Sequence, residues 1–588
     1  MINTYSRYGL KNKPLRWKDR TPLIGVLLAV VGVIFVGRLF YIQIIKHDDY
    51  KAAAIAEQLK KFSIPAERGT ISLLDGEKEL PIVLNETRYL IYADPVFIKK
   101  PQETAEKLQP LIGGDVNNIK EKLTRASRYV VLAKKIDESI KAKISALKLP
   151  GIVSMKQRFR TYPEGQMAAQ VLGFVNYDGE GQYGIEGYLN SELAGKPGLL
   201  KAITDVRGVP LAGNSENIVD APVPGKNVVL TLDSTIQSIA ENAIKNGVEK
   251  TKANSGSVVI MDINTGRVKG MANWPSFEPQ KFEEVTDLNL FKNRAVTDPL
   301  EPGSVIKTLV MGAGNDLGLI NEESTYFDQG SVVVDGHTIK NGIYIAPGVY
   351  NMFDVIRDSL NTGSVSILKL MGGGEINEKA RTTWHHYLTD QFQFGKKTGV
   401  EQVNEAKGIV PDPIHGYARN LTLANTTYGY AISITMVQLA AAVSSAINGG
   451  TYYQPTVLYS LIDAKGNEVI NEPKIVKQNV ISASASKVVV DLMERYAASN
   501  NRETARAGFS LGGKTGSAEI ALPEGGYKPN SFNGTYVGFV GGSSPQYVVA
   551  LRVDEPKISG SAGAVAARPI FTEIANNMMD SLPFSRGL

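Results

Sequence analysis

The sequence predicts an α+β protein in three parts: one N-terminal membrane-spanning helix, a mixed α/β region, and a larger domain with an antiparallel sheet among helices. Three observations carry this expectation. Residues 21–37, TPLIGVLLAVVGVIFVG, hold no charge. The texture of the chain changes after Pro224-Gly225. Strand-like runs then occur near both ends of the remaining chain, with helical spacing between them.

The anchor comes first. Seventeen uncharged residues span ~25 Å as a helix, and LFYIQII after Arg38 extends the run to Ile45, enough for a hydrocarbon core of roughly 30 Å. Arg38 then lies near the outer interface, where its long side chain snorkels or pairs. A buried core helix would carry a polar face, and this run has none. A cleaved signal would end in small residues, but Arg38-Leu39-Phe40-Tyr41 follows instead. The span 21–45 is therefore expected to remain in the bilayer.

Charge sets the orientation. Residues 1–20 hold six of the 64 basic side chains and one of the 59 acidic ones, so the rest of the chain carries 58 of each. The net charge of +5 thus belongs to a tail before the anchor, which is expected to be cytoplasmic. The remainder is expected outside. No basic domain is left to bind nucleic acid. The chain has no cysteine, which excludes disulfides, thiolate metal sites and Cys nucleophiles. Its five histidines, His47, His337, His385, His386 and His415, supply a His-based triad poorly.

Residues 46–230 read as mixed α/β. ERGTISLLDG and RYLIYADP suggest short strands, and PQETAEKLQPLI and DESIKAKISALKLP have helical spacing. Gly179-x-Gly181-x-x-Gly184 matches a dinucleotide fingerprint in form only. No apolar strand leads into it and no acidic ribose partner is evident. Residues 235–582 read as the α+β domain. A helix, STIQSIAENAIKNGVEKT, precedes a hairpin of GSVVIMDI and RVKGMANW around Asn264-Thr265-Gly266. GTYVGFVGG and YVVALRVDEP supply two later strands, and PIFTEIANNMMDSL a closing helix.

Within that domain GFSLGGKTGSAEI, residues 508–520, fits three catalytic patterns. As a phosphate loop it needs a helix after Lys514-Thr515, but Pro523, Gly525 and Gly526 preclude a long one. As a hydrolase elbow around Ser510 it needs a later histidine, and none follows His415. As K-T-G it needs partners of the type S-x-x-K and S-x-N. Each of those motifs occurs four times, and K-T-G occurs again at Lys397-Thr398-Gly399.

Order and context select among the copies. Pro302-Gly303 forces a turn, and Ser304 and Lys307 then share one helix face. A desolvated, neutral lysine there can accept the serine proton. Taken alone, the plainer reading is favoured, an N-capping serine with a solvated lysine. Ser359-Leu360-Asn361 follows 55 residues later between two helical runs. It serves as a capping turn or as a pair aimed into a cleft. Lys514 lies a further 155 residues on, flanked by glycines and followed by two strands. Lys397-Thr398-Gly399 instead follows a helix-like run, YLTDQFQFGK, and reads as a helix-ending turn.

Nearly the whole chain resembles the class B penicillin-binding proteins, monofunctional peptidoglycan transpeptidases of bacteria. The resemblance rests on GRLFYIQIIKHDDY at the anchor exit and on ERGTI, RTYPEG, LGFVN and GIEGYLNSELAGKPG in the non-catalytic pedestal. It continues in TLDSTIQ, NRAVTDPLEPGSVIKTL, GKTGSAEI and YVGFVGG, in the family's order. FGKKTGV is similar to an internal turn of that family. Two positions depart from the usual pattern. Ser517 stands where threonine is common, keeping a hydroxyl, and Leu360 replaces a smaller or polar residue.

The resemblance implies a pedestal of the dimerisation type over residues 46–230 and a serine β-lactamase-like domain over 235–582, with an antiparallel five-stranded sheet flanked by helices. It implies that Ser304 attacks a stem peptide ending in D-Ala-D-Ala and that Lys307 is the base. Ser359 relays a proton, and Asn361 binds the substrate amide. Lys514, Thr515, Gly516 and Ser517 hold the terminal carboxylate and edge of the substrate, and backbone N–H groups of Ser304 and Ser517 form the oxyanion hole. β-Lactams would acylate the same serine, and no metal or cofactor is required. GFVNYDGEGQYGIEG looks more like the division-specific FtsI type than the elongation type, which implies a septal location, an FtsW-like glycosyltransferase and other division proteins as partners. An elongation-specific enzyme, a catalytically weak divisome scaffold and a β-lactam sensor are the alternatives. A sensor would need a cytoplasmic domain, for which residues 1–20 leave no room.

Overall fold

Alternation of apolar side chains decides the central sheet. Val258 and Ile260 belong to one buried cluster, while their neighbours Val259 and Met261 belong to another. Successive strand residues point to opposite faces, so a run apolar at every position must be covered on both sides. The computed structural model describes residues 21–51, 59–76, 78–203, 218–522 and 525–584. The basic segment 1–20, expected to be cytoplasmic, lies outside the described residues.

The described chain divides into two compact units. One comprises the described residues within 21–66 and 196–223. It contains helix α1 (Thr21–Phe40), extended by a π-helical turn at Tyr41–Ile45. Residues 23–45 have a mean hydropathy of 2.6 and none is buried, so the helix is long and apolar enough to cross a membrane. The Arg38 guanidinium sits 5.5 Å from the centre of the Tyr41 ring, a pairing suited to an interfacial cation. The same unit holds a three-stranded antiparallel sheet in which Gly198–Ile203 runs between Leu59–Ile64 and Ile218–Asp220.

The second unit comprises residues 67–195 and 224–588. Its first sheet has seven strands. The 16-residue strand Lys78–Ala93 pairs in turn with Ile71–Asp75, Ile152–Thr161 and Val130–Ile136. Asn227–Asp233 joins parallel to Ile71–Asp75, and Leu458–Ile462 and Glu468–Ile470 extend the sheet beyond it. The expected helices form at Pro101–Ile112 and Glu138–Ala146.

The second sheet has five antiparallel strands, labelled in chain order: β1 (Ser255–Asp262), β2 (Val268–Trp274), β3 (Ser510–Ala521), β4 (Tyr527–Gly541) and β5 (Pro545–Asp554). Their spatial order is β2-β1-β5-β4-β3, so the two ends of the domain complete one sheet and β3 is an edge. Helix α2 (Ser234–Thr251) starts where the Asp233 carboxylate accepts from the Thr235 and Ile236 N–H groups. Next come α3 (Lys307–Asp316), α4 (Asn361–Met371), α5 (Met436–Ile447), α6 (Ala483–Asn500) and α7 (Arg568–Ser581). Ile244 of α2 and Phe571 and Ile574 of α7 pack in the cluster with Val258 and Leu551. Leu309 of α3, Val443 of α5 and Val489 of α6 pack in the other cluster with Val259 and Phe539. Every residue of α5 is buried, and a capping box between Thr435 and Gln438 closes its N-terminus.

Three of the pedestal motifs meet at one buried carboxylate. Glu186 of GIEG is fully buried and pairs with Arg68 of ERGTI at 2.7 Å and with Arg160 of RTYPEG at 2.6 Å. Asn190 and Asn85 each accept a further guanidinium N–H at 2.8 Å. Breaking such a network strands buried guanidinium charge. Glu186→Gln is expected to lower unfolding free energy by about 3–5 kcal/mol, read from denaturant melts of the soluble region.

Candidate active site

A sharp turn sets the first functional side chain. Gly303–Ile306 forms a 3₁₀ turn that runs directly into α3, so Ser304 precedes the helix and Lys307 opens it. Gly303 has φ +66°, and a Cβ there would stand 2.8 Å from Ser517 O. Only glycine lets this turn lie against the backbone of β3. The turn is held from two further sides. Gly303 N donates to Gly429 O at 3.1 Å, and Thr535 Oγ1 donates to Pro302 O at 2.6 Å.

The Lys307 amine is fully buried at the centre of the site. Its Nζ lies 2.9 Å from Ser304 Oγ, 2.7 Å from Ser359 O, 2.7 Å from Asn361 Oδ1 and 3.3 Å from Ser359 Oγ. Burial, reinforced by the nearby Lys514 amine, pushes Lys307 well below the ordinary lysine range. A neutral amine has two N–H groups and one lone pair. Two N–H groups match Ser359 O and Asn361 Oδ1, which leaves the lone pair to accept the Ser304 hydroxyl.

Ser359 occupies the loop between a short helix, Met352–Arg357, and α4. Its φ of +57° is left-handed, a conformation uncommon for a residue with a side chain. Asn361 is the first residue of α4, and its Nδ2 donates to Lys340 O at 2.8 Å.

Lys514 lies on β3 and is also fully buried. Burial pushes it down to about 7. Its Nζ donates to Ser359 Oγ at 3.1 Å and to Thr515 O at 2.9 Å, and lies 4.9 Å from the centre of the Tyr496 ring. Ser359 Oγ thus bridges the two amines. Thr515 Oγ1 is 2.7 Å from Tyr496 OH, and Ser517 Oγ is 2.8 Å from Ser561 Oγ and accepts from Gly563 N. A Cβ on Gly516 would come 2.5 Å from Pro302 O, so this glycine also permits close approach.

The structure therefore brings Ser304, Lys307, Ser359, Asn361, Lys514, Thr515, Gly516 and Ser517 into one place. The other K-T-G does not join them. Thr398 N and Oγ1 both donate to Glu405 at 2.6 Å, and Gly399 N donates to its other oxygen. That segment is a turn wrapped around a carboxylate. Ser510 opens β3, with its hydroxyl on Glu494. Sequence reasoning missed Tyr496, Ser561, Lys340 and Thr535, because none stands in a motif. Among the described residues, no three His, Cys, Asp or Glu side chains converge as a metal ion requires.

Comparison with known proteins shows the family. The profile of the Penicillin binding protein transpeptidase domain matches residues 256–578, and that of the Penicillin-binding Protein dimerisation domain matches residues 63–230. The chain belongs to the penicillin-binding proteins of class B. It is similar to Stage V sporulation protein D of Bacillus subtilis, 28% identical over 96% of this chain and 86% of that one. It is also similar to the Probable peptidoglycan D,D-transpeptidase PenA of Neisseria gonorrhoeae, 27% identical over 97% and 94%. Penicillin Binding Protein 2X from Streptococcus thermophilus shares the fold, with a TM-score of 0.71 and 22% identity over 89% of this chain and 80% of that one. Penicillin binding protein 3 from Mycobacterium tuberculosis, solved with aztreonam, gives 0.67 and 23% over 89% and 98%. The matched domains and named relatives make this chain a class B transpeptidase.

Lys514 fixes a pH dependence. Unfolded, it titrates at its ordinary 10.5; folded, at about 7. Between those values the unfolded chain holds a proton that the folded chain has released, so stability rises with pH across this window. Lys514→Met removes the cost. The linked cost is about 4 kcal/mol at pH 7 and about 1 kcal/mol at pH 10, and loss of the amine's hydrogen bonds offsets part of it, so the variant is expected to be about 2–4 kcal/mol more stable at pH 7, with the advantage shrinking toward pH 10, by denaturant unfolding at both pH values.

Proposed function

We propose that this transpeptidase cross-links peptidoglycan stem peptides through an acyl-enzyme on Ser304. The buried Lys307 amine, 2.9 Å from Ser304 Oγ, is the observation that carries this reading. Lys307 accepts the hydroxyl proton as Oγ attacks the penultimate D-Ala carbonyl. The oxyanion that forms receives hydrogen bonds from the Ser304 and Ser517 backbone N–H groups, a role supported by the close approach of Gly303 to Ser517. Ser359 passes the proton from Lys307 to the departing D-Ala amine. The amine of a second stem peptide then attacks the ester, forms the new amide and frees Ser304. Asn361 orients the substrate amide. Gly516 lets β3 lie against the turn that carries Ser304, while Thr515 and Ser517 hydroxyls take up the terminal carboxylate. An arriving carboxylate favours the charged form of Lys514, whose pKa rises on binding.

β-Lactams present a strained amide to the same serine and leave a covalent adduct. Penicillin binding protein 3 of Mycobacterium tuberculosis has been solved with both aztreonam and ampicillin, which supports this extension. The apolar helix α1 would hold the enzyme at the outer face of the cytoplasmic membrane, with its N-terminus inside. The division role rests on GFVNYDGEGQYGIEG, supported by a relative named as an FtsI homologue, 25% identical over 95% of this chain. An FtsW-like glycosyltransferase and division proteins would then act beside it at the septum.

Fluorescent penicillin tests the chemistry. One covalent adduct on Ser304 is expected, and Ser304→Ala should lose it while keeping its melting temperature. Label retained in that variant would sink the assignment. Depletion in cells tests the role: filaments are expected, whereas rounded cells would indicate elongation.

A further inference from the structure

The chain between α3 and Ser359 folds into two small hairpins, neither of which carries a motif. Thr325–Asp328 pairs with Gly348–Asn351, and Ser331–Val334 pairs with His337–Lys340. Asp328, at the end of the first strand, is 1% exposed. A carboxylate that deep must be compensated by hydrogen bonds. Its Oδ1 accepts from Gly330 N at 2.7 Å. Its Oδ2 accepts from Tyr326 OH at 2.7 Å, from Asn341 Nδ2 at 3.1 Å and from the Thr362 hydroxyl. Burial would raise its pKa, but these donors outweigh burial and hold it below the ordinary carboxylate value. Among the described residues, no basic side chain is its partner.

The donors lead to the site. Thr362 directly follows Asn361 in the first turn of α4, and its backbone N–H donates to Asn341 Oδ1 at 3.1 Å. Asn341 in turn follows Lys340, whose carbonyl accepts from Asn361 Nδ2. This contact decides which way the Asn361 amide faces. With Nδ2 on the Lys340 carbonyl, Oδ1 faces Lys307 Nζ at 2.7 Å. The reversed amide would set NH₂ against the lysine N–H groups and oxygen against oxygen, two repulsive contacts. The negative charge also lies at the N-terminal end of α4, where the helix dipole favours it.

We propose that Asp328 is a positioning residue for the transpeptidase reaction: through Asn341, Thr362 and the Lys340 carbonyl it locks the Asn361 amide in the orientation that leaves the Lys307 lone pair free for Ser304. This rests on the reading that Ser304 and Lys307 perform the chemistry. The hairpins are then a brace for the middle motif, and Asp328 sets acylation speed without touching substrate. A residue that served folding alone would change how much enzyme is active, not how fast each active molecule reacts.

The test measures the first-order acylation rate constant and the apparent binding constant separately, by stopped-flow with fluorescent penicillin on the purified full chain. Four variants are compared with the parent: Asp328→Asn, Asn341→Ala, Asn341→Asp, and Asp328→Asn combined with Asn341→Asp. Asp328→Asn removes the charge and leaves one acceptor oxygen where two served four donors, and acylation should slow about tenfold or more at unchanged binding constant. Asn341→Ala leaves the buried acid in place and should slow it by about threefold or more. The double variant exchanges donor and acceptor across the pair, and should return to within about threefold of the parent. Adduct amplitude reports the folded fraction and is scored apart from the rate. A parent that forms no adduct on Ser304 would remove the underlying reading. A parent that labels normally, with Asn341→Ala and Asp328→Asn reacting at its rate, would overturn the inference alone. Failure of the double variant to recover would overturn it as well. If Asp328→Asn does not fold, Asn341→Ala and the double variant decide.

Discussion

Two amines share this site with no carboxylate among the described residues to neutralise them. Lys307 and Lys514 are both fully buried, both approach Ser359 Oγ, and no acid contributes to the shift of either. Two ammonium groups so placed would repel each other in a medium that screens poorly. The arrangement therefore favours at least one uncharged amine, and burial shifts both downward. An uncharged Lys307 can take a proton from serine, and a Lys514 poised near neutrality can become the cation that an incoming carboxylate requires. The same desolvation that opposes stability supplies both chemical properties, which is the usual tension at a catalytic site.

Keeping two lysines dry requires a wall on every side. The five-stranded sheet provides it because its central strands are apolar on both faces, so helices cover each. β3 is an edge strand, and along it Lys514 donates to Ser359 Oγ while Ser517 lies against Gly303 beside Ser304. Glycines make the closeness possible. Gly303 and Gly516 bring two backbones to a separation at which any Cβ would collide. The left-handed Ser359 stores local strain, held by two packed helices on either side.

Much of the site was legible before any coordinates. Ser304 after Pro302-Gly303 read as a turn leading into a helix, and it is one. Lys514 before two strong strands read as a sheet position, and it is one. Local chemistry also dismissed Ser510 and the first K-T-G, and the structure gives each a structural partner, Glu494 and Glu405. Other features left no local mark. Tyr496 sits in an ordinary amphipathic helix, and Asp328 in a short polar strand. Arg68, Arg160 and Glu186 each stood in a motif, yet nothing in the spacing of those motifs showed that they converge on a single buried carboxylate. The strands Leu458–Ile462 and Glu468–Ile470 lie within the family's transpeptidase span but pair into the sheet built on residues 71–233, a long-range pairing with no signal in period or turn chemistry.

The sequence by itself determined what short-range physics controls: an apolar span at Leu23–Ile45, strand and helix periods, turns that demand glycine, and the order of three motifs. Side-chain period and backbone propensity act over a few residues and can be read from them. Only the tertiary structure decided which motif copies meet in space, how deeply their lysines are buried and the direction of the Asn361 amide. Those depend on burial and on hydrogen-bond partners drawn from positions as far apart as 304 and 514, and desolvation is a property of the packed chain rather than of any segment.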